Sequence, residues 1–154
     1  MKILVLSDVH GRGMVAEKII AKHPDALHVF FLGDGLSDME DIQYFFPERT
    51  FHMVSGNCDH GSMLRSTDFV TLCGVKILFT HGHPFSVKWS LERLKERARA
   101  ENAALTLYGH THQPKSEYDD GFYFVNPGAV GSCNPSYALI DIVDCGISTN
   151  ILYI

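Results

Sequence analysis

The chain has 154 residues, 45% of them hydrophobic and 20% charged, which fits one soluble domain over 1–154 that buries roughly 70% of its unfolded surface without staples. A formal net charge of −5 leaves no basic excess to neutralise phosphates, which argues against long nucleic acids and anionic membrane surfaces as partners. No apolar stretch approaches the ~20 residues of a membrane helix, "MKILVLSD" is too short an apolar run for a signal peptide, and the four cysteines include no C-x-x-C pair, so reduced thiols and a cytoplasmic location are expected.

In chain order, "ILVLSDVH" (3–10) is rich in Ile, Leu and Val without alternation, the mark of a strand buried on both faces. "GMVAEKIIAKH" (13–23) pairs Val15 with Ile19 and Ala16 with Ile20, which predicts a helix stopped by Pro24. "VFFLGDG" (29–35) reads as a second buried strand. "SDMEDIQYFF" (37–46) is predicted as a helix with Ser37 as N-cap, Glu40 completing a capping box, and an end before Pro47. "FHMVSGNCD" (51–59) holds a third strand. "DFVTLCGVKILF" (68–79) is a predicted hairpin turning near Gly74, and its second half leads into "KILFTHGH" (76–83). "KWSLERLKERARAEN" (88–102) puts Leu91, Leu94 and Ala98 on one helical face, and Trp89, the only tryptophan, is expected to anchor its start in the core. After "LTLYGHTH" (105–112) come two more hairpins, 115–125 turning at Asp120-Gly121 and 137–154 turning at Asp144-Cys145-Gly146. The sum is an α/β (α+β) fold in which a two-sheet β-sandwich is flanked by helices.

Five of the apolar runs end alike, in a small or polar residue and then Asp8, Asp34, Asn57, His81 or His110, separated by 26, 23, 24 and 29 residues. Singly, each end reads as readily as a turn, and Asp8 could simply cap the helix that follows. Together they converge, because ligands of α/β sheets collect outside the carboxyl ends of strands. Residues i and i+2 of an extended segment share a side, so His110 and His112 face one point. Carboxylate, imidazole and amide without clustered thiolates suit a hard-to-borderline divalent metal. More donors converge than a single four- or six-coordinate ion needs, which suits two ions sharing a carboxylate.

In this order, D-x-H (8–10), G-D (33–34), G-N (56–57), His81 and G-H-x-H (109–112) resemble the calcineurin-like metallophosphoesterase superfamily. "GNCD" at 56–59, where "GNH" is usual, resembles its small bacterial and archaeal phosphodiesterase branch. The resemblance implies that Asp8, His10 and His112 hold one metal, that Asn57, His81 and His110 hold a second, and that Asp34 bridges both. It implies a dinuclear phosphoesterase, most readily a phosphodiesterase, in which a metal-bridging hydroxide attacks phosphorus in line with the leaving group across ions ~3.5–4 Å apart. Manganese ranks first by the same resemblance, and nickel, iron, cobalt and zinc suit the donors too.

The catalytic candidates are Asn57, a neutral ligand that leaves its metal acidic, together with Cys58, His83 and Arg12. Cys58 stands where many members carry a proton-donating histidine. A thiol of pKa near ~8.5 could donate a proton, or Cys58 could be a small buried filler with His83 or His60 as donor. Arg12 could grip a phosphate oxygen or face solvent. The expected substrate is a small phosphodiester, nucleotide-like in size, and exposed hairpin edges are compatible with a homodimer. Two other readings stand beside this one: a phosphomonoesterase, and a non-catalytic protein-interaction scaffold on the same fold, as in the retromer subunit that the fold resembles.

Overall fold

The computed structural model describes residues 1–143 and 146–154. Its elements are β1 (Lys2–Leu6), α1 (Gly13–Lys22), β2 (His28–Phe31), α2 (Leu36–Ile42), β3 (Thr50–Met53), β4 (Thr67–Leu72), β5 (Val75–Thr80), α3 (Glu92–Ala100), β6 (Leu105–Tyr108), β7 (Lys115–Asp119), β8 (Phe122–Asn126), β9 (Ser136–Val143) and β10 (Gly146–Tyr153). They form two five-stranded sheets, ordered β10-β9-β1-β2-β3 and β4-β5-β6-β8-β7. Strands β1, β2 and β3 are mutually parallel, as are β5, β6 and β8. Antiparallel hairpins complete both sheets. Among the described residues, no helix is long and apolar enough to cross a membrane.

Layering explains why the runs lack alternation. Between the sheets, Ile3, Val5, Phe30 and Leu32 meet Ile77, Phe79, Leu105 and Leu107 in one cluster. The other face of the first sheet, including Leu4, Leu6, Val29 and Phe31, is covered by Ala16, Ile19 and Ile20 of α1 and Met39 of α2. The other face of the second sheet buries Leu78 and Phe124 under Leu94 and Ala98 of α3. Each such aliphatic side chain contributes about 1.5–3 kcal/mol when fully buried, so a strand apolar on both faces gains twice over.

The expected hairpin turns form. Cys73 and Gly74 both take positive φ, as do Asp120 and Gly121, the backbone that a two-residue turn of primed type requires. Residues 144 and 145 of the third expected turn lie outside the described residues; the strands on either side pair as expected. Two local expectations need correction. Ser37 is not an N-cap: α2 starts at Leu36 after Gly35 and runs to Ile42, followed by a 3₁₀ turn over Gln43–Phe45. The helix expected from residue 88 begins at Glu92, because a 3₁₀ turn at His83–Phe85 ends in a left-handed Ser86. Trp89 therefore lies in an irregular turn and is 92% exposed, not a core anchor.

Gly33 sets how closely the strand ends approach. Its φ is +93°, and a Cβ there would lie 2.4 Å from the Gly56 amide nitrogen. Gly33→Ala is expected to cost about 3 kcal/mol, a fall in Tm of roughly 6–12 °C at this chain length. Gly74→Ala meets a positive φ but open space and should cost about 1 kcal/mol. Thermal denaturation of the two variants decides, and equal losses would show that the Gly33–Gly56 approach is not tight.

Candidate metal centre

The parallel strands of both sheets end on one side of the sandwich, and the loops that follow carry the candidate ligands. Asp8 and His10 follow β1, Asp34 follows β2, Asn57 follows β3, His81 follows β5, and His110 and His112 follow β6. His81 is fully buried, and its Nδ1 donates to the Leu32 carbonyl of the opposite sheet at 2.6 Å. That bond fixes the tautomer, so Nε2 carries a lone pair and points at the centre.

The backbone is strained at these loops. Asp8, His10, Asp34, His110 and His112 all have positive φ, between 46° and 68°. A non-glycine residue held there costs about 1–3 kcal/mol and persists only when its surroundings over-determine it. They do: Asp8 N donates to Gly33 O and His10 N to Asp34 O, while Gly131 N donates to Asp8 O. The His110 amide donates to Asp8 Oδ2, which Ser7 Oγ also reaches, and the Cys58 amide donates to Asp34 Oδ1.

The side chains gather in two groups. His112 Nε2 lies 2.9 Å from Asp8 Oδ1 and 3.4 Å from His10 Nε2. His81 Nε2 lies 3.1 Å from both Asn57 Oδ1 and His110 Nδ1. Asp34 Oδ2 stands between the groups, 3.8 Å from His10 Nε2 and 3.6 Å from His81 Nε2. All seven residues that the motifs single out as ligands are thus brought together.

This donor set fits cations. Asp8 Oδ1 is buried and makes no hydrogen bond; its one close nitrogen neighbour is His112 Nε2 at 2.9 Å, itself a candidate ligand, so a cation would satisfy both. His81 Nε2 and Asn57 Oδ1 face each other as two acceptors. Burial, reinforced by neighbouring His81 and Lys88, pushes the His110 imidazole down to about 4, so at neutral pH it offers a lone pair rather than a charge.

The remaining candidates are less uniform. Cys58 is exposed, not a buried filler; its Sγ falls within reach of His10 and Asp34. The Asp34 carboxylate, then burial, holds its thiol above the usual range. His83 packs its ring 5.3 Å from that of His81; burial lowers its pKa, and its Nδ1 is buried without a partner. Arg12 is exposed and donates to the Ser132 carbonyl. His60 is exposed on the same loop as Cys58. The 126–131 loop turns its amides inward: Val130 N and Gly131 N donate to Ser7 O and Asp8 O.

Asp59 is the residue that the sequence reading passes over. Its Oδ2 accepts from the amides of Asp34 and Gly56, and its Oδ1 from those of Gly35 and Leu36, at 2.7–2.9 Å. It therefore caps α2 from a distant loop, in place of Ser37, and fixes the Asp34 backbone. Burial works to raise its carboxyl, but the four donors prevail and hold it below the usual carboxylate range. The signal was present as the last letter of "GNCD", where an Asp reads as one more turn former. Asn126 acts similarly on the other sheet: fully buried, it donates to Gly109 O and Thr111 Oγ1 and so braces the turn between His110 and His112.

Comparison with known proteins agrees with this geometry. Phosphodiesterase YfcE of Escherichia coli is 26% identical over 170 aligned positions, covering 92% of this chain and 88% of YfcE. Vacuolar protein sorting-associated protein 29 of Schizosaccharomyces pombe is 34% identical over 102 residues, 58% of this chain and 54% of that protein. A crystal structure of a predicted phosphoesterase from Streptococcus pneumoniae superposes with a TM-score of 0.86 at 28% identity, covering 99% of this chain and 88% of that one. The model of the calcineurin-like phosphoesterase superfamily domain matches residues 1–144, and with that match the chain belongs to this superfamily.

Proposed function

We propose that the protein is a metal-dependent phosphodiesterase whose centre is built by seven side chains around Asp34. The observation that carries this reading is the position of Asp34 Oδ2 between two donor groups, Asp8–His10–His112 and Asn57–His81–His110. Each group would hold one divalent ion, with Asp34 shared, and manganese is the first candidate. Such ions supply Lewis acidity toward phosphoryl oxygens and make a water molecule acidic enough to ionise near neutral pH.

The chain's own residues then divide the remaining tasks. The Leu32 carbonyl and the Asp59 carboxylate hold His81 and Asp34 in place before substrate arrives, so little reorganisation is left for the reaction. Asn57 contributes an uncharged oxygen. Cys58 keeps its proton at neutral pH and stands within reach of His10 and Asp34; it is the proposed proton source for a departing alkoxide. His83 is held neutral by burial, which suits it to orienting a ligand better than to acting as an imidazolium acid. Arg12, tethered to Ser132, borders the β1 loop and can reach a phosphate oxygen. A diester with a single negative charge suits a centre with two buried carboxylates and few cations around it. The name of YfcE supports the same preference.

The likeness to vacuolar protein sorting-associated protein 29 motivates a second reading, a protein-binding scaffold. The complete donor set favours the enzyme.

Chelator-stripped protein reloaded with one metal at a time is expected to hydrolyse bis(4-nitrophenyl) phosphate in preference to 4-nitrophenyl phosphate. Absence of turnover with two metals bound would favour the scaffold. Asp34→Asn should deplete both metals and lower turnover by more than the roughly 10–100-fold typical of outer-shell changes. His112→Ala should deplete one metal and spare the other; metal content by atomic emission checks both, and loss of neither would remove His112 from the set. Asp59→Asn retains one carbonyl acceptor but loses the other, so metal affinity should fall roughly 10–100-fold. Titration calorimetry measures this, and an unchanged affinity would reduce Asp59 to a helix cap.

A further inference from the structure

Two clefts border the centre, and their charges differ in sign. On one side a cleft of about 590 Å³ includes Cys58, His60, Met63 and Glu40 in its lining, with no lysine or arginine. On the other side a cleft of about 490 Å³ is lined by Lys88 and Lys115, with no carboxylate. Thr111, the residue between His110 and His112, is part of its lining, so the cleft adjoins the loop that carries two candidate ligands. Its apolar floor comes from Val87, Leu91 and Tyr108.

The two lysines are not equivalent. Lys115 is paired with Glu117 at 2.6 Å. Lys88 is exposed and, among the described residues, has no carboxylate within 4.0 Å. In the first cleft Glu40 is exposed and, among the described residues, has no basic partner within 4.0 Å, while the Asp59 charge is taken up by its four amide donors. The unpaired charges of the two clefts are therefore opposite in sign, Glu40 in one and Lys88 in the other.

We propose that the Lys88 cleft is a substrate subsite that selects a phosphodiester substituent with a flat apolar body and a negative charge of its own, the other substituent lying uncharged in the cleft beside Cys58. This rests on the phosphodiesterase reading and narrows it to asymmetric diesters. The apolar floor takes the body of the substituent. The lysine takes its anion as a point charge with little demand on geometry. The opposite cleft repels an anion, so the orientation is set by attraction on one side and repulsion on the other.

The test uses two 4-nitrophenyl phosphate diesters whose second substituent is a phenyl ring bearing either a carboxylate or, as its neutral isostere, a carboxamide. The metal-loaded protein is expected to favour the carboxylate ester about three- to fivefold in kcat/KM, the range of an exposed charge pair. That preference should fade as salt rises. Lys88→Ala should abolish it, and Lys88→Glu should invert it. Fluorescence of Trp89, the sole tryptophan and next to Lys88, gives a readout independent of turnover: the carboxylate ester should quench it at lower concentration than the carboxamide in the wild type and not in Lys88→Ala. Turnover of both esters at equal efficiency, or a preference that survives Lys88→Ala, overturns the subsite and leaves the phosphodiesterase reading standing. No turnover of either ester overturns the phosphodiesterase reading and, with it, the subsite.

Discussion

The hydrogen bond from His81 Nδ1 to the Leu32 carbonyl joins the two sheets at the end where their parallel strands stop. It can form only because Phe30 and Leu32 on one side and Ile77 and Phe79 on the other share one apolar interior, which brings the strand ends into register. Once formed, it settles three things. It satisfies a carbonyl that would otherwise be buried beside imidazole, it fixes which nitrogen of His81 bears the proton, and it points the free lone pair at Asn57, His110 and Asp34. The chemistry of the centre thus depends on sheet packing several residues away.

Strain is the counterpart of that order. Five of the seven candidate ligands adopt positive φ, each costing about 1–3 kcal/mol. The cost is borne by regular structure: the amides of Asp8 and His10 reach carbonyls of the Gly33–Asp34 turn, and Asp59 binds four amides around that same turn. The layered core supplies the stability that offsets it. Short turns of this kind let consecutive ligands such as His110 and His112 leave one strand end and serve different donor groups.

Much of this was legible in the sequence, for definite physical reasons. Strands buried on both faces write themselves as unbroken apolar runs, and the runs at 3–6, 29–31, 77–80 and 105–108 did so. Asp120-Gly121 announced its turn because few dipeptides accept two successive positive φ values. The ligands were legible as a set because five strand ends repeated one chemistry. What was not legible depended on contacts between distant segments. Ser37 matches a local capping pattern, yet Asp59 from another loop reaches the α2 amides first. Trp89 carries an apolar side chain, but the left-handed Ser86 turn places it outside the core. The opposed charges of the Glu40 and Lys88 clefts, 48 positions apart in the chain, emerge only once α2 and the turn before α3 are folded.

The same physics favours a cation at the strand ends. A buried Asp8 oxygen without a hydrogen bond lies in one donor group, and His81 Nε2 approaches Asn57 Oδ1 to 3.1 Å in the other. Each arrangement is unfavourable in isolation and becomes favourable when a cation lies between the groups. Asp59 and Asn126 strengthen the point, since their hydrogen bonds immobilise the ligand loops and leave no interaction surface of their own. Rigidity is spent on donor geometry, which is what holding a divalent ion requires.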